Sequence, residues 1–148
     1  MDDARPFDRP AGGLMDGASP EVLEGGCHCG AVRYRATVRS REAVECNCSI
    51  CTKKGFVHLL VAEEDFELLR GADALTTYTF GTHTAKHHFC RHCGIHSYYR
   101  PRSHPERIDV NVRCLEGVEP SDFRLSTFDG QNWEGSVEEL RARDRTRQ

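Results

Sequence analysis

The sequence lacks the features of three broad classes of protein. No stretch of its 148 residues approaches the roughly 18 consecutive apolar residues of a membrane span, and the mean hydropathy is −0.60. The formal net charge of −3 provides no overall attraction to nucleic acid. The first residues carry neither a basic segment nor an apolar core, so we expect no signal peptide and a cytoplasmic location. A single compact domain without membrane or nucleic-acid partners is therefore predicted.

Cysteine, in contrast, is abundant, with eight residues in the chain. In a reducing compartment, clustered cysteines indicate metal ligands more than disulfides. Zinc is the first expectation because thiolates suit its tetrahedral sites. Iron–sulfur ligation is an alternative, although neither usual ferredoxin spacing is present, and disulfides or free thiols are another. The groups are Cys27 with Cys29, then Cys46 with Cys48 and Cys51, then Cys90 with Cys93, and finally Cys114 alone.

Two of these groups complement each other. Cys90 and Cys93 precede Gly94, an arrangement that resembles a zinc knuckle, in which a tight turn presents both sulfurs and glycine permits positive φ. A knuckle of two cysteines needs two further ligands. Cys27 and Cys29 also precede a glycine and supply them. The spacing predicts a closed site of four thiolates, with two buried strand cysteines as the alternative interpretation of the first pair.

The third group supplies three thiolates within six residues, namely Cys46, Cys48 and Cys51. Three protein ligands leave the fourth position of a tetrahedral ion for water, substrate or an external thiol. Alternatively, a histidine closes this site and makes it structural, with His58 and His28 as candidates. Because three thiolates weaken zinc as a Lewis acid, such a site suits the binding of a thiol better than the formation of hydroxide.

The remaining candidates are less specific. Cys114 is interpreted as a small buried hydrophobic residue. A histidine near the open site could act as a general base, since its ordinary pKa lies near neutrality, but the sequence does not select one. Six further histidines are expected to be structural or solvated, namely His83, His87, His88, His92, His96 and His104.

The apolar pattern predicts a mainly β fold of short strands and few helices. Residues 31–38 alternate in part and place Arg33 and Arg35 on one face. Further strands are expected at 56–62, 75–80, 86–89, 95–99, 108–112 and 123–128. A helix is expected after Gly135, with Ser136 as its cap. The predicted organisation is a flexible arm at 1–19, a zinc-binding domain at 20–135 and a C-terminal helix or tail at 136–148.

Three segments carry a resemblance to a known family. Residues 25–34, 46–51 and 89–94 read GGCHCGAVRY, CNCSIC and FCRHCG. With seven cysteines in matching order, the chain resembles the GFA family, named for a glutathione-dependent formaldehyde-activating enzyme. Segments similar to its centromere protein V-like branch lie at 76–80, 99–103 and 128–134.

The resemblance implies a small zinc-bound antiparallel β fold, like that of Mss4, with two zinc ions. Cys27, Cys29, Cys90 and Cys93 match the structural zinc ligands, whereas Cys46, Cys48 and Cys51 match the ligands of the catalytic zinc. The implied activity is that of a carbon–sulfur lyase acting on a thiol adduct such as S-hydroxymethylglutathione. The alternative is a non-catalytic zinc module that binds glutathione or a protein partner.

Glutathione carries two carboxylates and would require cationic neighbours. Lys53 and Lys54 directly follow the three-cysteine group and are the first candidates, with Arg33 and Arg35 as the second. The partner predicted from these features is a small thiol or thiol adduct.

Overall fold

The computed structural model describes residues 19–147, and short strands dominate this range. The two helices are α1 (Ser49–Lys54) and α2 (Trp133–Arg147). The strands are β1 (Glu21–Gly26), β2 (Arg33–Val38), β3 (Glu42–Cys46), β4 (Val57–Ala62), β5 (Phe66–Arg70), β6 (Leu75–Tyr78), β7 (His87–Cys90), β8 (Tyr98–Tyr99), β9 (Arg107–Asn111) and β10 (Arg124–Phe128). The predicted mainly β fold is thus confirmed.

The strands form three sheets, ordered β1-β2-β5, β10-β3-β4-β9-β8 and β6-β7. Neighbours pair in antiparallel fashion, as predicted, except that β10 runs parallel to β3 and places Phe128 opposite Cys46. The central sheet is therefore mixed. A parallel neighbour requires a long connection, and here the chain builds β4 to β9 before it returns to the edge of β3.

The core lies between the two larger sheets and follows the two-residue period of their strands. Tyr34, Ala36 and Val38 of β2 are buried, whereas Arg33 and Arg35 point to the outer face, as predicted. Buried side chains from the five-stranded sheet meet them: Ala43, Val57, Leu59, Val61, Ile108 and Val110. One face of each strand is thus committed to the core, which leaves the other face of the five-stranded sheet for a site.

Several elements differ from the sequence prediction. Helix α1 and strands β3 and β5 were not expected, and β8 contains only two of the five residues predicted as a strand. Helix α2 begins at Trp133, so the cap predicted at Ser136 is wrong. Its first residue contacts the loop between β8 and β9, where Arg102 lies 3.6 Å over the Trp133 ring. Of the predicted arm, residues 1–18 lie outside the described residues.

Among the described residues, neither helix is both long and apolar enough to cross a membrane.

Candidate metal centres and active-site cleft

The first candidate metal centre joins two turns that are far apart in sequence. Cys27 and Cys29 lie in the turn between β1 and β2, and not within a strand, while Cys90 ends β7 and Cys93 lies in the turn that follows. The Cys27 backbone N–H donates to the carbonyl of Val32 at 3.1 Å, which closes the first turn. Both turns end in glycine with positive φ, +84° at Gly30 and +79° at Gly94, as the knuckle pattern predicts.

The spacing of these sulfurs fits a tetrahedral metal. Cys29 Sγ lies 3.6 Å from Cys27 Sγ and 3.7 Å from Cys90 Sγ, and all four sulfurs lie within 4.8 Å of one another. A tetrahedron with zinc–sulfur bonds of about 2.3 Å has an edge of about 3.8 Å, whereas a disulfide is about 2.05 Å long. The four cysteines therefore can hold one metal ion and are not bonded to each other.

The second candidate centre depends on the helix that the sequence did not predict. Cys46 ends β3, Cys48 is the N-terminal cap of α1, and Cys51 lies in the first turn of α1 and is buried. The Cys51 backbone N–H points to Cys48 Sγ at 3.5 Å. The three sulfurs lie within 4.8 Å of one another. The turn from β3 into α1 thus brings the three sulfurs close enough to bind one metal ion.

The three thiols are also electrostatically coupled. The hydrogen bond from Cys46, followed by that from Cys51, lowers the pKa of Cys48 well below its usual value. Contact with Cys48 raises the pKa of Cys46, and contact with Cys46, followed by that with Cys48, raises the pKa of Cys51. One thiolate is thus stabilised by its neighbours, and a bound cation would favour the charged form of all three.

This centre lies in a large cleft on the free face of the five-stranded sheet. The cleft has a volume of about 1380 Å³. On β3, β4, β9 and β8, the residues that alternate with the core face the cleft; they include Val44, Cys46, His58, Leu60, Asp109 and Tyr99. Because side chains alternate between the two faces of a strand, the same surface carries the side chains of Cys46, His58, Asp109 and Tyr99.

The histidine and the carboxylate are paired. His58 Nδ1 lies 2.8 Å from Asp109 Oδ2, and both side chains are buried. His58 Nε2 and Asp109 Oδ1 are buried with no hydrogen-bond partner among the described residues. Within this range the second centre comprises only the three cysteines, and His58 is committed to Asp109. His28, the other candidate fourth ligand, is exposed beside the first centre.

Aromatic side chains form one wall of the cleft. The ring of His87 stacks between Phe80 at 5.5 Å and Tyr99 at 4.9 Å, with interplanar angles of 18° and 11°. Burial, and then the charge of Lys54, lowers the pKa of His87 to about 4. Burial, and then the charge of Asp109, raises the pKa of Tyr99 well above its usual value. Both groups are therefore neutral near pH 7.

The segment after β10 packs directly onto the three cysteines. A Cβ atom on Gly130 would lie 2.6 Å from Cys46 Sγ and 2.7 Å from the Cβ of Cys48, so this position requires glycine. Asn47 fixes the segment: its side chain donates to Asp129 at 3.0 Å and accepts from the Gln131 backbone N–H at 3.0 Å. The chain thus closes one side of the centre with backbone atoms.

The two predicted lysines occupy different environments. Lys53 is exposed. The Lys54 ammonium lies 4.7 Å over the Phe56 ring and 4.6 Å over the Tyr99 ring, and 3.3 Å from His87 Nδ1. Burial lowers its pKa, and the charge of Cys51 opposes that effect. Lys54 is therefore held at the aromatic wall near the second centre.

The remaining candidates lie elsewhere. Arg33 bonds Glu116 at 2.7 Å, and Arg35 bonds Glu67 at 3.1 Å, on the sheet face opposite the core and outside the cleft lining. Cys114 is partly buried and belongs to neither centre. Burial raises the pKa of its thiol to about 12.

Sequence reasoning missed three residues of the cleft: Asp109, Tyr99 and Gly130. A partial signal was present for the first, because Asp109 lies inside a predicted strand, as His58 does in β4. A charged side chain there needs a partner when it is buried, and burial is decided only by the tertiary structure. No sequence signal distinguishes Gly130 from a glycine in an ordinary turn.

Comparisons with known proteins relate the chain to one family. Residues 22–128 match the model of the family described as glutathione-dependent formaldehyde-activating enzyme. A Halomonas elongata protein, named provisionally as such an enzyme, is 35% identical over 108 residues, which cover 67% of this chain and 69% of that protein. A crystal structure of a Rhodobacter sphaeroides protein is similar with a TM-score of 0.64 and 42% identity. The matched region covers 70% of this chain and 99% of the Rhodobacter sphaeroides chain.

Proposed function

The chain belongs to the glutathione-dependent formaldehyde-activating enzyme family, and from this premise we propose that it is a zinc-dependent carbon–sulfur lyase. Its proposed substrate is a thiol adduct such as S-hydroxymethylglutathione, which it forms from, or returns to, the thiol and the aldehyde. The observation that carries the proposal is the convergence of Cys46, Cys48 and Cys51 in a large cleft. A reducing, cytoplasmic location is proposed with it, because the ligands must stay reduced.

Zinc is the proposed metal at both centres, since the donors are thiolates at tetrahedral spacing. At the four-cysteine centre the protein ligands would complete the coordination. At the second centre, a bound zinc ion would favour the thiolate form of an incoming thiol and hold its sulfur in place. The difference in ligand number supports one structural and one catalytic centre.

The cleft suits the rest of a peptide thiol. Its volume of about 1380 Å³ exceeds the roughly 300–1,000 Å³ of common ligand pockets. We propose that Lys54, at the aromatic wall near the second centre, contacts one carboxylate of glutathione and that exposed Lys53 contacts the other. A non-catalytic zinc module that binds glutathione is the competing function. A measurement of turnover distinguishes it from the lyase.

The experiment compares the zinc-replete native protein with two cysteine variants, Cys48→Ser and Cys114→Ser. Calorimetry with glutathione, and spectra of the cobalt-substituted protein during the same titration, report thiol binding at the second centre. Exchange NMR with glutathione and formaldehyde reports formation of the adduct. We expect the native protein and Cys114→Ser to bind and turn over, and Cys48→Ser to do neither.

Each outcome has one meaning. No binding at millimolar glutathione would contradict the proposed function. Binding without faster adduct formation would support the non-catalytic module instead. Unchanged cobalt spectra on glutathione addition, with turnover intact, would place the thiol away from the second centre. The Cys114→Ser variant controls for the general loss of a thiol, because Cys114 lies outside both centres.

A further inference from the structure

Two histidines line the cleft, and their partners fix them in opposite tautomers. At His58, Nδ1 lies 2.8 Å from a carboxylate oxygen of Asp109. An ionised carboxylate only accepts hydrogen bonds, so Nδ1 carries the hydrogen. In the neutral ring, that hydrogen on Nδ1 leaves Nε2 with a lone pair, and Nε2 is buried without a partner among the described residues.

His87 shows the reverse arrangement. Its Nδ1 lies 3.3 Å from the Lys54 ammonium, which only donates hydrogen bonds. Nδ1 must therefore accept, and Nε2 carries the hydrogen. The stack between Phe80 and Tyr99 fixes the plane of the ring, and burial keeps it neutral, with a pKa of about 4.

The two rings share one part of the cleft because both contact Tyr99, His87 face to face and His58 nearly edge-on at 5.9 Å. His58 also lies on the sheet face that carries Cys46, since its strand neighbour Val44 is two residues from that cysteine. A purely structural histidine would pair both ring nitrogens. A buried lone pair without a partner costs about 1–3 kcal/mol, which a substrate proton would recover.

We infer that His58 accepts the proton of the incoming thiol and that His87 donates a hydrogen bond to the carbonyl oxygen of the aldehyde. Asp109 is the positioning residue, because it holds His58 in the required tautomer. This inference rests on the proposed function and adds to it the groups that move and hold the proton.

The step balances without any additional reactant. The thiol proton moves to His58 Nε2, the sulfur electron pair forms the carbon–sulfur bond, and the carbonyl π electrons move to oxygen. His87 Nε2–H stabilises this oxygen and keeps its proton, since a neutral imidazole is a donor and a very weak acid. The His58 imidazolium then returns its proton to the oxygen. The reverse sequence cleaves the carbon–sulfur bond.

The first test needs no turnover. In the zinc-replete full chain labelled with ¹⁵N-histidine, NMR reports the tautomer of each ring, and the spectra of His58→Gln and His87→Phe assign the two signals. We expect His58 as the Nδ1–H tautomer and His87 as the Nε2–H tautomer. Either ring in the other tautomer, or as imidazolium at neutral pH, would overturn the inference. Asp109→Asn should shift His58 towards Nε2–H.

The second test measures adduct formation. His58→Gln, which accepts a hydrogen bond but takes no proton, should lower kcat by about 10²–10⁴-fold with little change in KM. His87→Phe keeps the aromatic stack and removes the donor, and should lower kcat by about 10²–10³-fold. His88→Gln is the matched control: this half-buried histidine of β7 bonds Thr77 and should stay within about twofold of native.

The outcomes separate this inference from the proposed function. If the native protein neither binds glutathione nor turns over, the proposed function falls and the catalytic role of both histidines falls with it. If the native protein is active and His58→Gln is equally active, only this inference is overturned. Loss of zinc from His58→Gln would also overturn it, since His58 would then be a ligand and not a proton acceptor.

Discussion

Single side chains in this cleft take their chemistry from what lies beside them. The same residue type, histidine, meets a carboxylate at His58, where Nδ1 faces Asp109, and an ammonium at His87, where Nδ1 faces Lys54. Cysteine varies in the same way. It is a candidate ligand at Cys48, where neighbouring thiols lower its pKa, and inert at Cys114, where burial raises it to about 12.

The lowered pKa of His87 predicts a pH dependence of stability. The ring is neutral in the folded protein down to a pKa of about 4, whereas its ordinary value is about 6.5. Between pH 6.5 and 4, His87 is largely protonated in the unfolded chain but neutral in the folded protein. The folded state therefore loses stability relative to the unfolded chain as pH falls through this range. The contribution is complete above pH about 6.5, and its upper bound is about 3 kcal/mol.

Chemical denaturation of the native protein and His87→Phe at matched zinc content measures this effect. We expect the free energy of unfolding of His87→Phe to fall less between pH 6.5 and 4 than that of the native protein. Because both proteins hold the same metal ligands, acid loss of zinc cancels in the difference. His83→Gln, at an exposed turn, should keep the native pH dependence. Parallel curves for all three proteins would contradict the burial of His87.

Among the secondary-structure elements, the short edge strand β10 positions the segment that covers the three-cysteine centre. Its parallel pairing with β3 places Phe128 opposite Cys46. The next residues then close over the three-cysteine centre, where Asn47 holds Asp129 and Gln131 by side-chain hydrogen bonds. A segment 80 residues away in sequence thus forms one side of a site built by a single strand and a single helical turn.

Gly130→Ala tests this closure. The added Cβ would lie 2.6 Å from Cys46 Sγ, so the segment must shift, and overpacking of this kind costs about 1–3 kcal/mol. Elemental analysis should show loss of metal at the second centre with retention at the first. Gly135→Ala is the control, since its Cβ would meet only the side chain of Asn132 at 3.2 Å. Equal metal content in both variants would show that the segment does not shape the centre.

For the whole molecule, the four-cysteine centre fastens the β1–β2 turn to the end of β7. These turns are about 60 residues apart, and their cysteines contribute to the same buried cluster as the core of both large sheets. Metal bound there adds its binding free energy to the stability of the folded state, because no such site exists in the unfolded chain. Release of the metal and unfolding of the apolar core should therefore occur together.

Chelation measures that coupling. A strong chelator should lower Tm of the native protein and of Cys114→Ser by similar amounts. Cys90→Ser, which lacks a buried ligand of the first centre, should start at a lower Tm and respond less to the chelator. A native Tm that is unaffected by complete metal removal would contradict a structural role for this centre.

The sequence predicted some elements well and others poorly, for local reasons. Strands such as β4 were recognisable because their apolar runs are continuous, and β6 and β7 because their segments are rich in β-forming residues. Helix α1 was missed because its six residues are too few to show a helical period. The start of α2 was misplaced because the helix begins at Trp133, whose ring contacts Arg102 from a distant loop.

The grouping of seven cysteines into a set of four and a set of three followed from sequence spacing alone. Spacing suffices there because a tight turn brings cysteines two or three residues apart to one ion whatever surrounds them. Only the tertiary structure decided what faces the second centre. His58, Asp109, His87 and Gly130 come from three strands and a loop, and their meeting depends on strand register and on the parallel return of β10. Neither is encoded in any local pattern.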